Sequence, residues 1–230
     1  FKDLRGPKPP KLDKVDAEAS RAIAAAREKL AESLPPVLTI EQLEAMTDEQ
    51  REEFTRVHSS MAFPGRAVSP NGLYQVETSC GFETLLGVAR TVERHHRRLA
   101  KWFGHDPFGK RQGLVRVVPE HSGLESEGTP YWWAGGFQRG DETTVRFAVG
   151  TIEGLGHTLT HELTHRFDGA LYRFIPSWLV EGKAVWTGAA YGPSTDEDFV
   201  SNHVIFGTME DAMRKGYGRR RRLEKLLDGN

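Results

Sequence analysis

The segment His161–His165, with the sequence His-Glu-Leu-Thr-His, constrains the fold of this chain more than any other stretch. Four residues of α-helix turn through about 400°, so the two histidines lie about 40° apart on one face if the segment is helical. Apolar residues recur every four positions on another side of the same helix: Leu155, Leu159, Leu163 and Phe167. The pattern predicts a helix over residues 153–167 that buries the apolar stripe and presents two imidazoles elsewhere.

The histidine pair has the spacing of a metal site. Two neutral imidazoles one helical turn apart can reach a single Zn²⁺ at about 2.0–2.1 Å. Glu162 lies about 100° round the helix from His161, where its carboxylate can reach a metal-bound water rather than the metal. The alternative is an amphipathic helix with two surface histidines and no metal. We expect His161 and His165 to bind Zn²⁺ and Glu162 to act as a general base.

A catalytic zinc usually has a third protein ligand. The candidates that follow the motif are Asp168, Glu181, Asp196, Glu197, Asp198 and His203. Asp168 continues the row of the two histidines, and three ligands in one row over roughly 10 Å of helix cannot surround one ion.

Glu181 is better placed, because a second helix can bring it back to the histidines. Gly169 suits the end of the first helix, and Pro176 with Ser177 suits the start of another, over residues 177–190. The small residues Gly182 and Ala184 would let the two helices approach closely. Most glutamates instead lie exposed on a helix surface, which is the alternative for this residue. We interpret Glu181 as the third zinc ligand.

Together, the motif and the segment Pro176–Trp186 (Pro-Ser-Trp-Leu-Val-Glu-Gly-Lys-Ala-Val-Trp) resemble the gluzincin branch of the zinc metallopeptidases. That branch combines H-E-x-x-H with W-L-x-E-G-x-A, in which the glutamate is the third zinc ligand. The resemblance is to compact thermolysin-like members, and only residues 161–165 and 178–184 carry specific motifs. It implies a zincin-like metallopeptidase fold with a small mixed sheet and an active-site helix. It also implies an edge strand that pairs with the substrate backbone, here Thr143–Val149, with Ala134–Gly136 near the substrate.

The chain also departs from the family pattern. The spacing between His165 and Glu181 is shorter than in the best-known thermolysin-like and aminopeptidase members. Val185 stands where thermolysin-like members carry an aspartate that supports the metal ligands. No G-x-M-E-N segment is present, which disfavours an aminopeptidase, and Leu171 stands where a metzincin has its third histidine.

These residues lead us to expect a zinc-dependent metalloendopeptidase that acts on peptide or protein substrates. Glu162 would take a proton from the attacking water and pass it to the leaving amine. The donor that stabilises the oxyanion is not identified; the candidates are Tyr172, Tyr191, His203 and Tyr217. The alternative function is a non-catalytic zinc-binding or scaffolding module that retains a peptidase-like fold.

Charge and cysteine content weigh against several other classes of function. The chain has 31 basic and 32 acidic residues, so its net charge of −1 gives no overall attraction to nucleic acid. The run Arg219–Arg222 is interpreted as a solvated helix face or a contact with a protein partner, and no nucleic-acid partner is expected. Cys80 is the only cysteine, which excludes an internal disulfide framework and a multi-cysteine metal site. No stretch approaches the roughly 18 apolar residues of a membrane span. The oligomeric state is not predicted.

The segment Pro64–Gly72, with two prolines and two glycines, predicts a domain boundary. Residues 1–66 would form a helical N-terminal segment and linker, and residues 67–230 the peptidase domain. Three helices are expected before the boundary, over residues 15–34, 40–46 and 47–59. The last of them opens on a capping-box pattern, Thr47 to Gln50.

Beyond the boundary, alternating residues predict strands over 73–78, 114–118 and 143–149. Helical spacing predicts a long helix over 81–103, on which charged neighbours suggest a solvated face for His95 and His96. Strands followed by helices indicate an α+β domain. Because the chain begins with Phe1 and shows no signal peptide, we interpret it as a soluble, processed or excised piece. Its compartment is undetermined, with export to the periplasm or the extracellular space left open.

Overall fold

The computed structural model describes residues 34–119, 134–147 and 152–190. The helix predicted to begin at Val15 and the basic tail from Met209 fall outside these ranges. One compact unit begins at Pro36 and contains every element described below.

Two short helices, α1 (Ile40–Glu44) and α2 (Asp48–Val57), open this unit. Each begins at a threonine whose side chain forms a capping box with the glutamine three residues later, Thr39 with Gln42 and Thr47 with Gln50. A capping box satisfies two backbone N–H groups that have no partner within the helix. The capping box predicted at Thr47 is therefore confirmed, and the helix ends two residues before its predicted end.

The sheet has six strands among the described residues, in the order β1-β2-β3-β4-β6-β5. Their bounds are β1 Ser59–Ser60, β2 Phe63–Val68, β3 Tyr74–Thr78, β4 Gly113–Val118, β5 Gly136–Arg139 and β6 Glu142–Arg146. Strands β3, β4 and β6 run parallel, while β1, β2 and β5 pair antiparallel with their neighbours. The fold is therefore mixed α and β, consistent with the predicted α+β class.

Strand β2 occupies part of the segment that was expected to be a boundary. It pairs antiparallel with β3, so that Ala67 lies opposite Val76. The amide of Leu38 donates to the carbonyl of Arg66 at 3.0 Å, and the amide of Val68 donates to the carbonyl of Leu38 at 2.9 Å. The sheet thus begins before residue 67, because backbone pairing along this segment outweighs the turn-forming tendency of its prolines and glycines.

The expectation that Thr143–Val149 forms the edge strand is wrong. Strand β6 ends at Arg146 and lies between two partners, with Thr143 paired to Val115 of β4 and to Gln138 of β5. The turn at Gly140, whose φ of +59° suits glycine, folds β5 back against β6 on the side away from β4. Among the described residues, β5 is therefore the strand at this edge of the sheet.

Three longer helices complete the unit: α3 (Phe82–Phe103), α4 (Ile152–Leu171) and α5 (Ser177–Ala190). The predicted apolar stripe of α4 is confirmed, since its four side chains are at most 2% exposed. The stripe packs in the core with α3 and the sheet. The predicted end at Phe167, with Gly169 as the cap, is wrong: Gly169 has a helical position, and the helix continues four residues further, to Leu171.

His95 and His96 lie in the core rather than on a solvated face. They are 2% and 3% exposed, because α3 packs against β3 and α4. Nδ1 of His95 lies 2.8 Å from Oγ1 of Thr160, and Nδ1 of His96 lies 2.7 Å from the hydroxyl of Tyr74. Each hydrogen bond satisfies Nδ1 of a buried histidine ring.

Candidate metal centre

The structure brings the side chains of His161, His165 and Glu181 together at one point. The two Nε2 atoms are 3.1 Å apart, and the carboxylate oxygens of Glu181 lie 3.6 Å from Nε2 of His161 and 3.7 Å from Nε2 of His165. Tetrahedral ligands held about 2.0–2.2 Å from a zinc ion are separated by roughly 3.3–3.5 Å. The spacing and the donor types therefore suit one zinc ion. The other acidic and histidine candidates beyond Glu181 lie outside the described residues.

Two helices position these side chains. Helix α4 carries the histidine pair, and α5 returns beside it with Glu181 in its second turn. A Cβ at Gly188 would lie 2.9 Å from the carbonyl oxygen of His157, so this glycine allows the close approach. Ala184 is fully buried, as its predicted role requires, whereas Gly182 is exposed with nothing within 4 Å of an added Cβ. Gly188, rather than Gly182, is thus the glycine at the helix contact.

Burial favours the neutral state of both histidines. Burial, with a smaller effect from His165, lowers the pKa of His161, while Glu181 and a hydrogen bond to the backbone of Ala184 oppose the shift. Burial also lowers the pKa of His165. Neutral imidazole is the metal-binding form. A hydrogen bond to the backbone orients a histidine ring, so the contact with Ala184 helps to hold His161 in place.

Glu162 lies beside the three converging ligands, on the side that faces β5. It is 5% exposed, and a Cβ on Gly136 would lie 2.9 Å from its Cγ and 3.1 Å from its Oε1. Burial, with a smaller contribution from the charge of Glu181, raises the pKa of Glu162 to about 8. A divalent cation held by the neighbouring ligands would favour the carboxylate. The close contact with Gly136 sets this side chain between the helix and the edge strand.

Asp168 joins the two helices. It is 3% exposed, and its carboxylate accepts a hydrogen bond from Nζ of Lys183 on α5. The same lysine lies 4.6 Å from the ring centroid of Tyr172. Asp168 lies outside the grouping of His161, His165 and Glu181. Its pairing with Lys183 was not predicted, because a pair of residues on two different helices leaves no local pattern in the sequence.

One of the four candidate oxyanion donors is described. Tyr172 directly follows α4 and is 46% exposed. Tyr191, His203 and Tyr217 lie outside the described residues, so the donor is not assigned.

No protein-family model, curated protein or solved structure matches this chain. The likeness to gluzincins therefore depends on the two motifs and on the geometry of the residues that carry them. Within the described part of the chain, no helix combines the length and the apolar character needed to cross a membrane.

Proposed function

We propose that the chain is a zinc-dependent peptide hydrolase with a zincin-like fold, acting as an endopeptidase. The observation that carries the proposal is the arrangement of Glu162. Its buried carboxyl lies next to three converging zinc-type ligands and against the strand at the edge of the sheet. A site that only held a structural zinc would need a fourth protein ligand rather than a buried acid beside three ligands.

The residues of the site have separate tasks. His161, His165 and Glu181 would hold Zn²⁺, which supplies a water with a pKa of about 7 and polarises the scissile carbonyl. Glu162 accepts the proton of the attacking water and passes it to the leaving amine. General acid–base catalysis of this kind contributes roughly 10²–10⁴ in rate.

The edge strand β5 supplies a place for the substrate backbone. One side of β5 pairs with β6, and the other carries unpaired backbone groups among the described residues. A peptide added along that side would be held by main-chain hydrogen bonds. Gly136 lacks a side chain at the point where β5 meets Glu162, so a peptide backbone can pass close to the acid.

Substituting Glu162→Gln tests the assignment of the general base. Glutamine has nearly the same shape but cannot accept the proton, so zinc content and fold should be retained while kcat falls by about 10²–10⁴ or more. The measurements are zinc per chain by elemental analysis after dialysis, and cleavage of a quenched-fluorescent peptide library with and without chelator.

The outcomes separate the two functions considered. Chelator-sensitive cleavage by the wild type that Glu162→Gln abolishes supports the hydrolase. One zinc per chain without cleavage of any peptide would favour the zinc-binding scaffold instead. Cleavage by the variant at the wild-type rate would show that Glu162 is not the base.

A further inference from the structure

A cavity of about 580 Å³ opens beside the metal centre. Its lining includes the zinc-site residue His165, the neighbouring Arg166 on α4, Arg111, and Gln138 and Asp141 of the β5–β6 hairpin. This volume is within the roughly 300–1,000 Å³ range of small-molecule sites. His165 borders both the cavity and the metal centre. A group bound in the cavity would therefore be separated from the scissile bond by the width of about one side chain.

The cavity wall carries an excess of positive charge. Nε of Arg111 lies 2.9 Å from Oδ1 of Asp141, and Nη2 of Arg166 lies 3.0 Å from the same oxygen. Two guanidinium groups thus share one carboxylate, and Asp141 is the one acidic residue among the described residues that line the cavity. Arginine presents several donors in a planar fork that matches a carboxylate.

The two arginines differ in how firmly they are held. The side chain of Arg166 is 1% exposed, donates to the hydroxyl of Tyr74 at 2.8 Å and lies 3.9 Å from the ring centroid of Phe108. Its Nε is buried without a hydrogen-bond partner. The side chain of Arg111 is 57% exposed at the cavity mouth and can turn toward an incoming anion. One arginine therefore gives a fixed positive wall, and the other gives an accessible donor.

The register of β5 relates the cavity to the site of hydrolysis. Gly136 contacts Glu162, and Gln138, two residues along the same strand, lines the cavity. Residues two apart on a strand face the same side and are about 6.6–6.8 Å apart. Gln138 is held in place because its Nε2 donates to the carbonyl of Gly140 at 2.8 Å. In a substrate strand paired with β5, one residue lies opposite Gly136. The residue two positions away along the substrate would thus place its side chain in the cavity.

We infer that this cavity is a substrate subsite that takes a carboxylate, so that the enzyme selects peptides with an acidic group about two residues from the residue opposite Gly136. The inference rests on the proposed peptidase function. The carboxylate can come from a glutamate or aspartate side chain or from the C-terminus of the substrate. Arg111 binds it, and Arg166, held by Asp141, adds a fixed positive charge to the cavity wall.

Binding can be measured apart from turnover in the full-length, zinc-loaded Glu162→Gln protein. The probes are fluorescein-labelled octapeptides of alanine and serine in which one position at a time is replaced by Glu, Gln or Lys. Their binding is measured by fluorescence anisotropy. Each peptide is made with a free and with an amidated C-terminus. At one position of the octapeptide, the peptide with Glu should bind roughly 10- to 100-fold more tightly than the peptide with Gln, and the peptide with Lys should bind most weakly. If only the free C-terminus gives this gain, the bound carboxylate is the substrate terminus.

Arg111 provides the decisive variant, because its exposed side chain can change without disturbing the core. In the same background, Arg111→Gln should remove most of the preference for Glu over Gln, and Arg111→Glu should shift it toward Lys. Lys110→Gln is the matched control; it removes the same charge from the adjacent exposed residue, which does not line the cavity, and should leave the preference unchanged.

Equal binding of the Glu, Gln and Lys peptides, or a preference that survives Arg111→Gln, would overturn the inference. Wild-type cleavage is measured on the same peptides to separate the two claims. Chelator-sensitive cleavage without acidic preference leaves the peptidase standing and the subsite refuted. Arg111-dependent binding without any cleavage supports the carboxylate subsite and refutes the peptidase.

Discussion

Glu181 is the most exposed of the three side chains of the candidate metal centre, with 64% of its side chain accessible, compared with 24% for His161 and 17% for His165. Burial therefore does not hold this side chain near the two histidines. Its carboxylate nevertheless lies within 3.7 Å of both Nε2 atoms. Its main expected effect is therefore on metal affinity rather than on the stability of the fold.

Replacing Glu181 by Gln should weaken zinc binding by on the order of 10²-fold or more, because a neutral amide replaces the anionic ligand. Competition with a chromophoric zinc chelator measures the change, and the free energy of unfolding of the metal-free protein should be nearly unaltered. Glu83→Gln, at an exposed position of α3, is the control and should leave zinc affinity as it is. Unchanged zinc affinity in Glu181→Gln would remove this residue from the ligand set.

Burial changes the pKa of His95, a residue that the sequence predicts to be exposed. Burial, with smaller effects from Arg98 and Arg94, lowers its pKa to about 4. In the unfolded chain a histidine has a pKa of about 6.5. Above that pH both states are neutral, so this residue makes no pH-dependent contribution there. As the pH falls from 6.5 toward 4, the unfolded chain binds a proton that the folded chain does not bind, and stability is lost.

The free energy of unfolding should therefore fall by about 3 kcal/mol between pH 6.5 and pH 4 on account of His95. In His95→Gln this part of the pH dependence should disappear, whatever the variant's stability at pH 7. Urea unfolding at several pH values, with chelator present throughout so that zinc loss does not contribute, measures the slope. The exposed His105→Gln serves as the control. An identical slope in wild type and His95→Gln would argue against a neutral, buried His95.

At the scale of the elements, the metal centre depends on the distance between α4 and α5. Helix α4 holds its histidines in place through a stripe of core residues, but Glu181 reaches them only because α5 lies close. Three of the contacts that keep it there are Gly188 against the backbone at His157, Lys183 with Asp168, and the hydroxyl of Thr164 with that of Thr187. A change in the packing of α5 should therefore be detected first as a change in metal affinity.

Two glycines on α5 make a matched pair of tests. Gly188→Ala puts a Cβ 2.9 Å from the carbonyl oxygen of His157 and 3.4 Å from the Cβ of His161, so α5 must shift outward. We expect roughly 10-fold or greater loss of zinc affinity, comparable to the loss of a residue that orients a ligand, together with lower stability. Gly182→Ala meets nothing within 4 Å and should stabilise the helix by about 1 kcal/mol.

Zinc titration and urea unfolding of both variants give the comparison. Retention of full zinc affinity in Gly188→Ala would show that α5 tolerates the added methyl group. It would then follow that the close approach does not set the position of Glu181.

For the whole molecule, the structure places residues 36–66 in the same compact unit as the metal centre. Ile40 and Leu43 are buried in the core, and the ring of Phe54 lies against Gly65. Each fully buried Ile or Leu side chain stabilises a fold by about 1.5–3 kcal/mol. Removing residues 36–66 would also take away four of the six residues of β2.

A chain truncated to begin at Pro36 should therefore unfold cooperatively and bind one zinc ion. A chain that begins at Ala67 should lose cooperative unfolding, because it lacks α1, α2 and part of a sheet strand. Thermal unfolding followed by circular dichroism, with zinc analysis, distinguishes the two chains. Cooperative unfolding of the shorter chain would restore the boundary near residue 67.

Local patterns in the sequence account for much of the metal centre. The helical period alone places His161 above His165 and turns Glu162 away from them, and threonine–glutamine pairs are enough to start α1 and α2. Alternating residues mark β3 and β4. These features depend on contacts between residues three or four apart, or on the two faces of one strand, so they can be derived without knowing the fold.

The tertiary structure alone decided the features that depend on residues far apart in the sequence. Strand pairing made β5, rather than the β6 segment, the edge beside Glu162, and it placed β2 in the sheet. Helix packing buried His95 and placed Gly188 where α5 comes close to α4. The arginines that line the cavity beside His165 come from α4 and from a loop 55 residues earlier. Because such contacts leave no period in the sequence, only the assembled sheet and helices determine them.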